Sequence, residues 1–177
     1  MCGVAGFIDF GGGGDELLVA AMANTLAHRG PDDAGVWVED VGNTRIGLGH
    51  RRLSIIDLRP ESAQPMAYGG FKIIYNGEIY NYVEVREALI GLGHIFRTQS
   101  DTEVLLHAFA QWGTACVERL IGMFAFAVVD TEAAKLHLFR DRAGVKPLYL
   151  YQRDGLCLFG SELKALHAHP GFEKRID

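Results

Sequence analysis

Apolar runs of strand length recur along this chain, separated by glycine-containing turns and by stretches with helical spacing. Val4-Ala5-Gly6-Phe7-Ile8-Asp9-Phe10 is mostly apolar and predicts a buried strand. Residues 11–14 are all glycine, a flexible turn, and Asp15 is placed to cap the helix that follows. That helix carries Leu17, Leu18, Ala21, Met22 and Leu26 at helical spacing and stops before Gly30-Pro31. Residues 35–40 and 43–49 predict paired strands around a Gly-Asn turn. Residues 53–58 form a short apolar run, and a polar loop leads through Pro65. Residues 71–75 predict another strand, ending at Asn76-Gly77. Asn81 with Glu84, and Ser100 with Glu103, have the spacing of capping boxes. The second of these helices places Val104, Leu105, Ala108, Phe109 and Trp112 on one face. Strands follow at 123–129, 136–140, 148–151 and 156–159, and Ser161 opens a last short helix. Strands in two blocks, with helices between and after them, predict a layered α+β domain on largely antiparallel sheets.

Composition narrows the function classes. The 177 residues fit one domain, and 49% hydrophobic content supports a real core. The net charge of -5, from 22 acidic and 17 basic residues, gives no electrostatic footprint for nucleic acid. No Lys/Arg-rich run suits an anionic membrane surface, and no apolar stretch is long enough to span a bilayer. The first residues lack the basic region of a secretory signal, so the expected location is the cytoplasm. Cys2, Cys116 and Cys157 are odd in number and widely spaced, which argues against a disulfide framework and a CxxC metal site. Cys116 and Cys157 have apolar neighbours and read as core.

Cys2 has a different chemistry available. By position alone it is a small buried residue at a strand start. Met before such a residue is expected to be trimmed, however, leaving a thiol beside a free α-amine. That amine titrates near pH 7.7–8.0, so a terminal amine can serve as the nucleophile's base without any histidine. Asn76-Gly77 is a common turn pair, but an Asn side-chain amide and an adjacent backbone N–H also make an oxyanion hole. The two readings are compatible. Arg52, next to the apolar run at 53–58, is either a solvated arginine beside a strand or a fork for a carboxylate. Asp101, in the first turn of a helix, either complements the helix dipole or, since Ser100 and Glu103 already supply the cap, receives an ammonium. Ser161-Glu162-Leu163-Lys164 matches S-x-x-K without companion motifs. His167 and His169 lack a third ligand, so no metal site is expected.

In order along the chain, Cys2-Gly3-Val4-Ala5-Gly6, His28-Arg29-Gly30-Pro31-Asp32, Arg52-Leu53-Ser54-Ile55-Ile56-Asp57, Gln64-Pro65, Tyr75-Asn76-Gly77-Glu78-Ile79-Tyr80-Asn81, Ser100-Asp101-Thr102-Glu103 and Arg140-Asp141-Arg142 with Gly144 and Lys146-Pro147-Leu148-Tyr149 resemble the glutaminase domain of class II glutamine amidotransferases. The spellings around His28, Arg52 and Tyr75 resemble the glutamine-hydrolysing asparagine synthetases. Sugar-phosphate and purine-pathway relatives typically carry His at the position of Tyr75. The resemblance covers residues 1–177 and implies an N-terminal-nucleophile hydrolase fold: four layers, αββα, with two stacked, mainly antiparallel sheets. It implies that Cys2 attacks the side-chain amide of glutamine. Asn76 and Gly77 would hold the oxyanion, Arg52 the α-carboxylate and Asp101 the α-ammonium, with Glu78 nearby as a further substrate-binding residue. It implies no cofactor in this domain. ATP and Mg belong to a synthetase domain, which 177 residues leave no room for, so the expectation is one domain of a longer ligase. Its expected partners are glutamine and that synthetase domain, with a homodimer of the full-length protein left open. Asparagine synthesis is the leading expectation; a non-catalytic glutamine- or partner-binding domain and amidation of a non-aspartate acceptor are the alternatives.

Overall fold

The computed structural model describes residues 1–54 and 59–174. Two antiparallel sheets lie face to face. One has five strands in the order β2-β3-β1-β9-β8, and the other four in the order β4-β5-β6-β7. The first sheet is built from β1 (Gly3–Asp9), β2 (Asp33–Val41), β3 (Thr44–Arg52), β8 (Tyr149–Arg153) and β9 (Leu156–Gly160). The second contains β4 (Met66–Tyr68), β5 (Phe71–Ile79), β6 (Gly122–Asp130) and β7 (Lys135–Arg140). Helices α1 (Glu16–Asn24) and α4 (Leu163–His167) cover the first sheet; α2 (Tyr82–Gly91) and α3 (Asp101–Trp112) cover the second.

Three apolar layers hold these four together. Alternate residues of a strand face opposite sides, and the burial follows that alternation. Ala5, Phe7 and Leu158 face α1 and α4, whereas Val4, Ile46, Leu48, Ile74, Ala127 and Phe159 fill the space between the sheets. Ile73, Tyr75, Ile79, Phe124 and Phe126 pack with Val104, Leu105 and Ala108 on the outer face of the second sheet. The N-terminal strand β1 is central in its sheet, bonded to β3 on one side and β9 on the other, so the first residues are held within the fold.

Several local expectations shift. Asp15 caps α1 by accepting from Leu18 N at 2.8 Å, but the buried face of that segment is Val19, Met22, Ala23 and Leu26. Leu17 points to solvent. Asn81 precedes α2 without capping it, because its amide instead bridges Ile121 N (2.8 Å) and Arg119 O (2.9 Å). Ser161 caps no helix; its hydroxyl accepts from Val4 N at 3.0 Å and ties α4 to β1. Half of the capping box at α3 forms: Ser100 Oγ accepts from Glu103 N, while the Glu103 carboxylate turns to the N–H groups of Arg97 and Thr98. The strand β5 runs through Asn76-Gly77 to Ile79, so that pair is not a turn. β4 is an element that the sequence pattern did not indicate. The apolar run at 53–58 lies partly outside the described residues.

Candidate active site

The same alternation that fills the space between the sheets makes one end of it polar. Val4, Leu48 and Ile74 face inward. Two or four residues along the same strands, on the same face, come Cys2, His50, Arg52, Asn76 and Glu78. They are Cys2 at the entry to β1, His50 and Arg52 at the end of β3, and Asn76 and Glu78 in the second half of β5. These side chains, with Asp101 and Thr102 at the start of α3, line a cavity of about 300 Å3, His50 excepted. That volume is at the small end of ligand pockets, roughly 300–1,000 Å3. A second cavity of about 760 Å3, around Tyr68, Arg97 and His107, is larger but has no cysteine in its lining. All six residues singled out from the sequence (Cys2, Arg52, Asn76, Gly77, Glu78 and Asp101) meet in the smaller one.

Cys2 is half-buried and held at several atoms. Its Sγ lies 3.4 Å from Leu53 N, and its carbonyl accepts from Arg29 Nε at 3.0 Å. Arg29 is itself fixed by Glu162 at 3.0 Å, and Glu162 also meets His28 and Lys164. Partial burial works against ionisation of Glu162, but hydrogen bonds from Arg29, Lys164 and His28 outweigh it and bring its carboxyl down to about 2. Burial pushes the Cys2 thiol up. The Leu53 N–H, the Met1 ammonium and Arg52 each pull it back, and Asp101 adds to the rise.

Two donors converge beside Cys2. Asn76 is 1% exposed, and its Nδ2 is buried with no hydrogen-bond partner among the described residues. A buried amide N–H left unsatisfied carries a desolvation penalty of about 1–3 kcal/mol, so this is a donor that a ligand in the cavity can satisfy. The second donor follows from strand geometry. Tyr75 N donates to Gln64 Oε1 (2.6 Å) and Ile79 N to Asp101 Oδ2 (3.2 Å), both away from β6. Gly77 lies between them with the same orientation. Phe124, opposite Gly77, sends both its N–H and its C=O to Asp141, so this pair exchanges no ladder bonds. The Gly77 N–H is therefore turned to the open edge of β5, toward the cavity. A side chain here would overlap the Met123 carbonyl and the Tyr75 ring, which is why glycine stands at this position.

The charges are distributed across the cavity. Arg52 is 8% exposed, with one guanidinium nitrogen 3.4 Å from Arg59 O. Asp101 is 5% exposed; burial raises its carboxyl, and donation from Tyr75 Oη, Ile79 N and Thr102 N opposes that rise. Glu78 stands exposed at the cavity's edge. His50, fully buried and brought down to about 4 by desolvation, is neutral and lies 3.1 Å from Tyr75 O. Tyr75, Gln64, Thr102 and Lys146 are cavity or support residues that the sequence reading did not place in the site. All four lay within short motifs quoted from the sequence, but none had an assigned role there. No group of His, Cys, Asp and Glu able to hold a metal exists among the described residues, and no described helix is long and apolar enough to cross a membrane.

A protein-family model described as a glutamine amidotransferase domain matches residues 1–177. The chain belongs to that family. It is 44% identical over 183 residues to asparagine synthetase [glutamine-hydrolyzing] 3 of Bacillus subtilis, covering 100% of this chain and 29% of that protein. A putative asparagine synthetase of Methanocaldococcus jannaschii is 37% identical, with 99% of this chain and 36% of that protein covered. A protein named amidase chry2, from Gibberella zeae, is 36% identical over 95% of this chain and 26% of its own length. The chain thus spans about a third or less of these relatives. Among solved structures, glutamine phosphoribosylpyrophosphate amidotransferase of B. subtilis matches with a TM-score of 0.77 at 22% identity, over 94% of this chain and 43% of that one. The architecture is accordingly the N-terminal-nucleophile type expected from the sequence, and the chain is a glutaminase domain similar to those of asparagine synthetases. Domains of this class act through an N-terminal cysteine without a cofactor.

Proposed function

We propose that this domain hydrolyses the side-chain amide of glutamine through Cys2 and supplies the ammonia to an ATP-dependent synthetase domain, for asparagine synthesis. The observation that carries the reading is the buried, unpartnered Asn76 Nδ2 beside the Gly77 N–H and Cys2. A buried donor with no partner among the described residues, next to a backbone N–H, suits a charge that develops only during reaction.

The chemistry begins once Met1 is removed and the Cys2 amine is free. That amine takes the Sγ proton, directly or through water, as Sγ attacks the amide carbon and the C–S bond forms. The carbonyl oxygen becomes an oxyanion facing Asn76 Nδ2 and Gly77 N. Collapse breaks the C–N bond, the protonated amine returns its proton to the leaving nitrogen, and ammonia departs. Water then cleaves the γ-glutamyl thioester, giving glutamate and the free thiol. Arg52 and Asp101 receive the α-carboxylate and α-ammonium, with Glu78 at the edge of the same cavity. Recognition of both charged ends favours a free amino acid over a peptide or simple amide.

ATP and Mg would act in the synthetase domain, in the cytoplasm. Glutamate release by the processed chain, with Cys2→Ala as blank, tests the glutaminase reading. Release that depends on Cys2 is expected. Glutamine binding with no turnover, in protein shown by mass to lack Met1, would make the chain a glutamine-binding module instead.

A further inference from the structure

Tyr75 immediately precedes the oxyanion residues, yet its side chain leaves β5 on the opposite face, toward α3. There its hydroxyl donates to Asp101 Oδ2 at 2.8 Å. Ile79 N donates to the same oxygen at 3.2 Å. Among the described residues no side chain donates to the other oxygen, Oδ1, and Asp101 lines the cavity. We propose that Tyr75 is a positioning residue for substrate selection: with Ile79 N it saturates one oxygen of Asp101, keeps the carboxylate ionised and turns the other oxygen to an α-ammonium group. The proposal rests on the reading of Asp101 as the ammonium site.

The surroundings show how this works. A carboxylate that is 5% exposed is driven toward its neutral form by burial, and a neutral acid would lose most of its attraction for an ammonium. The Tyr75 hydroxyl and the N–H groups of Ile79, Thr102 and Asp101 oppose that penalty in part, with Tyr75 the largest of them. Tyr75 is suited to the task because burial and the neighbouring carboxylate push its own ionisation well above the ordinary range, so it stays a donor. Besides the terminal amine, the ionisable side chains sharing the cavity with Asp101 are Cys2, Arg52, Tyr75, Glu78 and Lys146. Glu103, on the same helix, is occupied by Arg97 N, Thr98 N and the Thr98 hydroxyl. Of the five, only Tyr75 hydrogen-bonds Asp101. Its backbone is anchored independently, by Gln64 Oε1 on its N–H (2.6 Å) and His50 Nε2 on its carbonyl (3.1 Å). The hydroxyl can therefore be removed without releasing the strand beside Asn76.

Tyr75→Phe isolates this hydroxyl. The expected result is a KM for glutamine raised about tenfold, the effect of one hydrogen bond to a charged group, with kcat within about threefold of wild type. The acid limb of kcat/KM is expected to move to higher pH, since losing the donor raises the Asp101 carboxyl further. A glutamine analogue lacking the α-ammonium is expected to respond to neither change. In the Cys2→Ala background, calorimetric titration with glutamine should show the same weakening without any turnover. Wild-type turnover with an unmoved KM and acid limb in Tyr75→Phe would overturn the Tyr75 proposal alone. Equal weakening for the deaminated analogue would also overturn it, because the effect would then be general packing. Failure of Cys2→Ala to bind glutamine at all would overturn both this proposal and the reading it rests on.

Discussion

Asn76→Ala separates activity from stability. In the resting fold Asn76 Nδ2 is buried and makes no hydrogen bond among the described residues, so its removal breaks no native bond and relieves an unsatisfied donor. That relief, about 1–3 kcal/mol, offsets the small cavity left by a truncated side chain, and the thermal midpoint is expected to stay within a few degrees of wild type. In the proposed mechanism the same nitrogen is one of two donors to the oxyanion in the transition state. Losing one such donor costs about 2.7–4 kcal/mol, or roughly 10²–10³ in kcat. KM should change little, because the amide carbonyl in the ground state carries only a fraction of that charge. The assay is steady-state glutamate release, with calorimetry on the same samples. A kcat reduced by less than about tenfold would refute the oxyanion assignment. So would a large loss of thermal stability, which would mean that Asn76 serves the fold rather than the reaction.

Other consequences follow from the charges. Arg52→Lys keeps the positive charge but loses the planar fork. It is expected to raise KM for glutamine roughly thirty-fold, about 2 kcal/mol for hydrogen bonds to a charged group, with kcat less affected; an unchanged KM would remove Arg52 from carboxylate binding. Glu162 has a folded carboxyl at about 2 against an ordinary 4.5, so its contribution to stability is full above about pH 4.5 and is lost as pH falls toward 2. The difference in urea midpoint between wild type and Glu162→Gln should therefore shrink over that range, and a constant difference would contradict the role given to the Arg29, Lys164 and His28 cluster.

Much of this site was legible from residue type and position. Cys2 stood out because a thiol next to a processed terminus carries its own base, and Asp101 because Ser100 and Glu103 had the spacing to cap that helix without it. Arg52 and Asn76-Gly77 were visible as chemistry but ambiguous as structure. The Asn-Gly pair suggested a turn, yet β6 and the Asp141 loop hold it in mid-strand, a tertiary constraint that local propensity does not carry. The same limit explains Asn81, Ser161 and the face of α1. Each side chain is claimed by a partner distant in sequence, such as Ile121 for Asn81 and Val4 for Ser161. Tyr75 entered the sequence reading as part of a motif with no role for its hydroxyl, because that hydroxyl meets Asp101 26 residues later, across a helix start. The strand alternation itself was legible throughout, and it is what gathers Cys2, Arg52, Asn76 and Glu78 at one end of the space between the sheets.

The account turns on Cys2 as a covalent nucleophile, and mass spectrometry of the intact, Met1-processed chain quenched in acid during incubation with glutamine tests this most directly. A transient increase by one glutamyl group, mapped to Cys2 and absent in Cys2→Ala and in chains retaining Met1, is the predicted result. Glutamate release with no adduct on Cys2, or an equal adduct in chains that keep Met1, would contradict it.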